Sequence, residues 1–255
     1  MQLNDITSLI KDLSYFDTFP VNIGGYEIEI HHTLYSEDPR EWGSSPFTMV
    51  CSDSGMGDEQ WQPNYASEYG MFEYFHGMSG LMEDKGYYQD FTAEDLRRLS
   101  EWADQNVLWL PLYVYKHGVI TMRTTPFANR WDSGCVGFIY ITREDARKDW
   151  KWDRISPKRE KQLYEWMRGD VETYDKFLTG DVYGYNIMFN GEHVDSCGGY
   201  FGDHNYDSYM LDEIASMVER HYNERKKTRF EKVKALIKNK VPIIKRPQLI
   251  PNHNN

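Results

Sequence analysis

Three cysteines in 255 residues, none in a CxxC pair, leave this chain without a disulfide framework or a thiolate zinc motif. The odd count (Cys51, Cys135, Cys197) fits a reducing compartment with free thiols. No apolar run reaches eighteen residues, so no transmembrane helix is predicted. The opening Met1-Gln2-Leu3-Asn4-Asp5 has no basic segment followed by an apolar stretch, so no secretory signal is expected. A Walker loop, a dinucleotide GxGxxG, a GxSxG elbow, HExxH and a DxDxDG calcium loop are all missing. These absences predict a cytoplasmic protein without a cofactor, and they leave its reaction, if it has one, unspecified.

Positive charge is scarce except in one place. From Arg220 to Asn255 there are 11 Lys/Arg and two acids, a sum of +9 within a chain of −11, so residues 1–219 carry −20. Phosphate backbones are repelled by so acidic a body, whereas the basic segment attracts them. The predicted division is one acidic domain over 1–222, with an insertion at about 52–91, then a basic helical extension and tail over 223–255.

Aromatics are plentiful, with 19 Tyr and 8 Trp, and their polar tips suit both cores and partner surfaces. They concentrate with Gly, Pro and Asp in Thr121–Tyr140, the mixture of a shaped loop between two strands. Ile6, Leu9, Ile10 and Leu13 form the stripe of an amphipathic helix over 5–16, capped by Asn4 or Asp5. Tyr26–His31 alternates with period two as a half-buried strand, with Phe47–Cys51 as its expected partner. A short helix is expected around Ala66–His76. Thr92 with Asp95 is a capping box for a helix to about Gln105. Val107–Arg123 reads as a hairpin whose Pro111 calls for an edge or a bulge. Val136–Ile141 is a strand, and Thr142 caps a helix to Lys148. Ser156-Pro157 starts another helix, broken at Gly169, and a third is expected over Val171–Leu178. Asn190-Gly191 between Asp181–Phe189 and Glu192–Cys197 is a type I′ hairpin turn. A helix from Ser208 runs through the basic segment to about Lys238. The fold class is therefore α+β, with a mainly antiparallel sheet built from hairpins, helices packed on it and a C-terminal basic helix.

Several short motifs occur in a fixed order. They include Thr48-Met49-Val50-Cys51, Trp131-Asp132-Ser133-Gly134 before Val136-Gly137-Phe138-Ile139-Tyr140, Leu178-Thr179-Gly180-Asp181-Val182-Tyr183-Gly184-Tyr185, and Val194-Asp195-Ser196-Cys197. Together, over about Tyr26 to Asp203, they resemble a family of uncharacterised proteins carried by phages, plasmids and other mobile elements. The resemblance implies a cytoplasmic accessory protein of a mobile element and carries over no catalytic residue.

Four constellations are chemically suggestive. Asp195, Asp203, His204 and Asp207 surround one glycine-rich loop, and Asp132 could join them; hard oxygen ligands with a His suit a divalent cation, and Asp132, Asp195 and His204 would then be catalytic. Cys197 with His193 or His204 has the residue types of a thiolate nucleophile. Trp131, Asp132, Asp203, Asp38, Glu41 and Asp58 are the candidate contacts for a protein partner. In the simplest structural reading of that set, Trp131 plugs the core beneath its loop and Asp132 makes an Asx-turn. Arg225, Lys226, Lys227 and Arg229 could hold phosphates through a weak, sequence-independent contact. The leading expectation is a non-enzymatic phage or plasmid accessory protein that binds a host or phage protein, for example as an acidic inhibitor of a defence or nucleic-acid enzyme. A metal-dependent hydrolase and a nucleic-acid accessory protein are the alternatives.

Overall fold

The computed structural model describes residues 2–13, 20–33, 36–61, 70–81, 91–129, 131–202 and 209–249. In chain order its elements begin α1 (Leu3–Lys11), β1 (Val21–Ile23), β2 (Tyr26–His32), a 3-10 turn (Pro39–Trp42), β3 (Thr48–Cys51) and β4 (Glu59–Gln60). Next come α2 (Gly70–Ser79), α3 (Ala93–Asn106), β5 (Val107–His117), β6 (Val119–Arg123), β7 (Ser133–Thr142), α4 (Arg143–Asp149) and α5 (Pro157–Thr179). The chain closes with β8 (Val182–Phe189), β9 (Glu192–Phe201), α6 (Met210–Lys238), a 3-10 turn (Ile243–Lys245) and α7 (Arg246–Leu249). The fold is α+β with two antiparallel-rich sheets. Among the described residues no helix is long and apolar enough to cross a membrane.

Where the sequence suggests one domain over 1–222, the chain forms two compact units, residues 37–179 being inserted into a unit made of 1–36 and 180–255. The discontinuous unit is a four-stranded antiparallel sheet, β1-β2-β8-β9. Alternation in β2 buries Tyr26, Ile28 and Ile30, and these join Tyr185, Ile187 and Phe189 of β8 in one core. Helix α1 adds Ile6 and Ile10, and α6 adds Met210, Leu211, Ile214, Ala215 and Val218. The 3–4 residue spacing of that last set is the one-face pattern of an amphipathic helix. It ends at Val218, yet α6 continues without a break to Lys238, so position 222 falls inside a helix. Asn190 (φ 51°) and Gly191 (φ 80°) are both left-handed, as a type I′ turn demands. Helix α1 is shorter than predicted, and its cap lies two or three residues earlier: the Gln2 N–H donates to Asp5 at 3.1 Å.

The inserted unit is a five-stranded sheet, β4-β3-β7-β5-β6, antiparallel except where β4 runs along β3. Helices cover both faces. Met49, Cys51, Leu108, Leu112, Ile139 and Ile141 meet Leu163, Met167, Val171 and Tyr174 of α5. On the opposite face Val50 and Phe138 meet Phe75 of α2 and Ala103 of α3. Thr92 and Asp95 form the predicted capping box, with the Thr92 N–H donating to Asp95 at 2.7 Å. Pro111 lies where β5 has one strand neighbour, since β6 pairs only from Tyr113, and the register shifts just beyond it. Gly137 is required by close approach: a Cβ there would lie 1.9 Å from the Val50 carbonyl oxygen of the neighbouring strand.

Two further expectations are corrected. Phe47–Cys51 does not pair with Tyr26–His31; β3 pairs with β7, and β2 pairs with β8. Period-two alternation identifies a strand but carries no information about its partner. Gly169 does not break a helix either, because α5 is continuous over 23 residues. Its buried residues run on both sides of the glycine, and packing them outweighs a propensity cost of about 1 kcal/mol. The helix expected at 66–76 is seen as α2; residues 62–69 lie outside the described residues, as do 82–90 of the predicted insertion.

A Cβ at Gly169 would meet nothing within 4 Å. Gly169→Ala should therefore stabilise the protein by about 1 kcal/mol through helix propensity. Thermal denaturation should show it as a rise of about 3 °C in the transition of the inserted unit.

Candidate functional surfaces

The β6–β7 loop, at the heart of the aromatic stretch, is held by short-range bonds. Arg123 lies over the Phe127 ring (3.8 Å to its centroid) and donates through Nε to the Thr125 carbonyl at 2.9 Å. Asn129 accepts from the Trp131 N–H at 3.0 Å and donates to Asp132 Oδ2 at 3.2 Å. The Lys116 N–H donates to the Asp132 carbonyl at 2.8 Å, continuing the β5–β7 ladder. His117 Nδ1 lies 3.6 Å from Asp132 Oδ2. The Asx-type contact thus comes from Asn129, which accepts from the Trp131 N–H, and Asp132 takes a separate bond from the Asn129 amide. Trp131 does not plug the core: it is 96% exposed. With Asn129 and Arg123 fixing the backbone, the loop needs no buried indole to hold its shape.

Asp38 and Asp58 serve a different purpose. The Asp38 carboxylate caps the 3-10 turn, accepting from the Arg40 N–H at 2.8 Å. The Arg40 side chain, only 6% exposed, forms a fork to Asp58 with bonds of 3.0 and 2.6 Å. It also reaches Asp170 on α5 at 3.0 Å and the Phe47 carbonyl at 2.7 Å. Asp58 accepts in addition from the Met49 N–H at 2.6 Å. Burial alone would lower the Arg40 pKa; the two carboxylates outweigh it and raise the value above the ordinary one. Planar, bidentate geometry is what makes a buried guanidinium tolerable. This clamp ties the turn, β3 and α5 together, while Glu41 stands exposed beside it.

The residues of the metal reading are not assembled by what is described. Asp132 belongs to the inserted unit and Asp195 to the discontinuous one. Asp203, His204 and Asp207 lie outside the described residues. Asp195 accepts from Tyr185 OH at 3.0 Å, and burial together with that carboxylate raises the phenol pKa. Among the described residues no group of three or more His, Cys, Asp or Glu could hold a cation. Burial, with Asp53 and Asp58 nearby, pushes the Cys51 thiol up to about 12, which removes its nucleophilic form at neutral pH. Cys197 is exposed, and its Sγ donates to the Gly198 carbonyl at 3.7 Å.

A second surface arises where the ends of both hairpins of the discontinuous unit meet the basic half of α6. They enclose a groove of about 920 Å³. Arg225, Lys226 and Arg229 line it together with Lys232; Lys227 is not among the lining residues. Its aromatic part is Tyr26, Phe189, His221 and Tyr222. Tyr26 OH and His221 Nδ1 are 3.0 Å apart, and the Arg225 guanidinium sits 3.7 Å over the Phe189 ring. Burial, then the Arg225 charge, lowers the His221 pKa. Only the cations were legible in the sequence. Tyr26, Phe189 and His221 are far apart along the chain, and nothing in their local patterns points to a meeting.

Asp58→Asn would leave the buried guanidinium half-compensated, and a loss of about 3 kcal/mol in urea unfolding is expected. Thiol labelling of the native protein should modify Cys197 within the mixing time and leave Cys51 unmodified until denaturant is added. Compared with known proteins, the chain matches no family model, no curated protein and no solved structure.

Proposed function

We propose that this chain is a non-enzymatic accessory protein of a phage or other mobile element, which binds a host or phage protein through the β6–β7 loop. The observation that carries the reading is Trp131, 96% exposed on a loop whose backbone is pinned from both sides. Holding an indole in water leaves a large apolar area unburied, and covering it on association is worth about 2 kcal/mol or more. Backbone already held by such hydrogen bonds loses little further entropy when a partner covers the indole. Asp132 beside Trp131, and exposed Glu41, belong to a unit with 25 acids and 17 Lys/Arg, a net −8. That charge suits a basic partner surface, including the phosphate-binding face of a defence or nucleic-acid enzyme. The mobile-element origin and the cytoplasmic setting rest on the motif order and the free thiols.

Asp203, His204 and Asp207 of the hydrolase alternative lie outside the described residues. Trp131→Ala should weaken the purified complex with its partner about thirtyfold, read by titration calorimetry, with the circular dichroism spectrum unchanged. Equal affinities for the two proteins would remove this loop from the binding surface.

A further inference from the structure

The geometry points to a second binding site: the groove between the hairpin ends and α6 takes the backbone and bases of single-stranded nucleic acid. Arg225, Arg229 and Lys232 recur at i, i+4 and i+7 along α6 and line the same groove, so they fall on one helix face. They span about 10 Å of helix axis, long enough to follow a strand past more than one phosphate. Lys226 adds a fourth cation, and Glu192 and Glu224 are the acids within the lining. The cations exceed the acids two to one where the chain as a whole is acidic.

Charge alone would suit any polyanion; the aromatic part narrows the class. The Arg225 guanidinium lies 3.7 Å over the Phe189 ring, which is itself only 9% exposed. The half-buried His221 and Tyr222 are the lining rings that present surface to a planar partner. The neighbouring His221 ring stands 5.5 Å from Phe189. Cations along a concave track, beside rings on which bases can stack, are the features by which single strands are held without sequence preference. In a duplex the base faces are already stacked on one another and cannot reach such rings. An acidic peptide would use the cations and leave the rings idle. The site lies in the unit that does not contain Trp131, and it stands or falls independently of the protein-binding loop.

The test uses the full chain and a fluorescein-labelled twenty-nucleotide oligothymidylate, followed by anisotropy. Four phosphate contacts predict a salt slope of about −2.8, so affinity should fall roughly fiftyfold between 50 and 200 mM salt. Arg229→Glu with Lys232→Glu, both exposed positions on the helix, should weaken binding at least tenfold. The equally charge-reversing pair Lys238→Glu and Lys240→Glu, outside the groove lining, should change it less than threefold. Trp131→Ala should leave it unaltered. Equal loss from the two charge-reversing pairs would overturn the proposal, because it would mean diffuse charge and no site. So would a duplex of the same length binding as tightly as the single strand, polyglutamate competing as well as unlabelled oligothymidylate, or no binding at 50 mM salt.

Discussion

The antiparallel ladder between β2 and β8 is the interaction on which the rest depends. It joins strands about 150 positions apart, with Tyr26 opposite Phe189 and His32 opposite Tyr183. Closing so long a loop has an entropic cost that rises only with the logarithm of its length. The inserted residues also fold as a unit with their own core, and this shortens the effective loop. Once β2 and β8 are in register, the rest of the discontinuous unit follows. β1 and β9 add as hairpin partners, α1 and the first third of α6 cover the buried face, and Tyr26 is brought beside Phe189 and His221. The groove is thus a consequence of strand register. A slip of one residue would turn Tyr26, Ile28 and Ile30 to the opposite face and remove the core together with the site.

Local features were legible in the sequence in proportion to how local their physics is. Thr92 with Asp95, Thr142 before α4 and Asn190-Gly191 are each decided by bonds or dihedrals within four residues, and each is found where predicted. The hairpin of β5 and β6 is of the same kind. The partner of Phe47–Cys51 is not, because an apolar run buried on both faces identifies a strand and says nothing of the neighbour it pairs with. Gly169 shows the opposite error. A true local preference against helix is present, and the apolar stripe of α5 against the sheet outweighs it.

The candidate surfaces follow the same division. Acidic residues and a basic segment could be counted from the sequence, but their roles could not. Asp38 and Asp58 look like surface carboxylates and turn out to be a cap and half of a buried fork, because Arg40 reaches across to α5. Trp131 looks like core and is exposed, because Asn129, two residues earlier, fixes the loop in its place. Residue type is a weak guide when the decisive partner is a neighbour whose side chain points the right way.

The distribution of charge connects the two proposed surfaces. The inserted unit carries −8 and the discontinuous unit −3, although the latter holds the whole basic segment. The 11 cations from Arg220 onward are therefore more than balanced by acids within their own unit, and net charge alone supplies no attraction for nucleic acid. Binding in the groove then rests on local contacts, phosphate to guanidinium and base to ring, and the phosphate contacts make it salt-dependent.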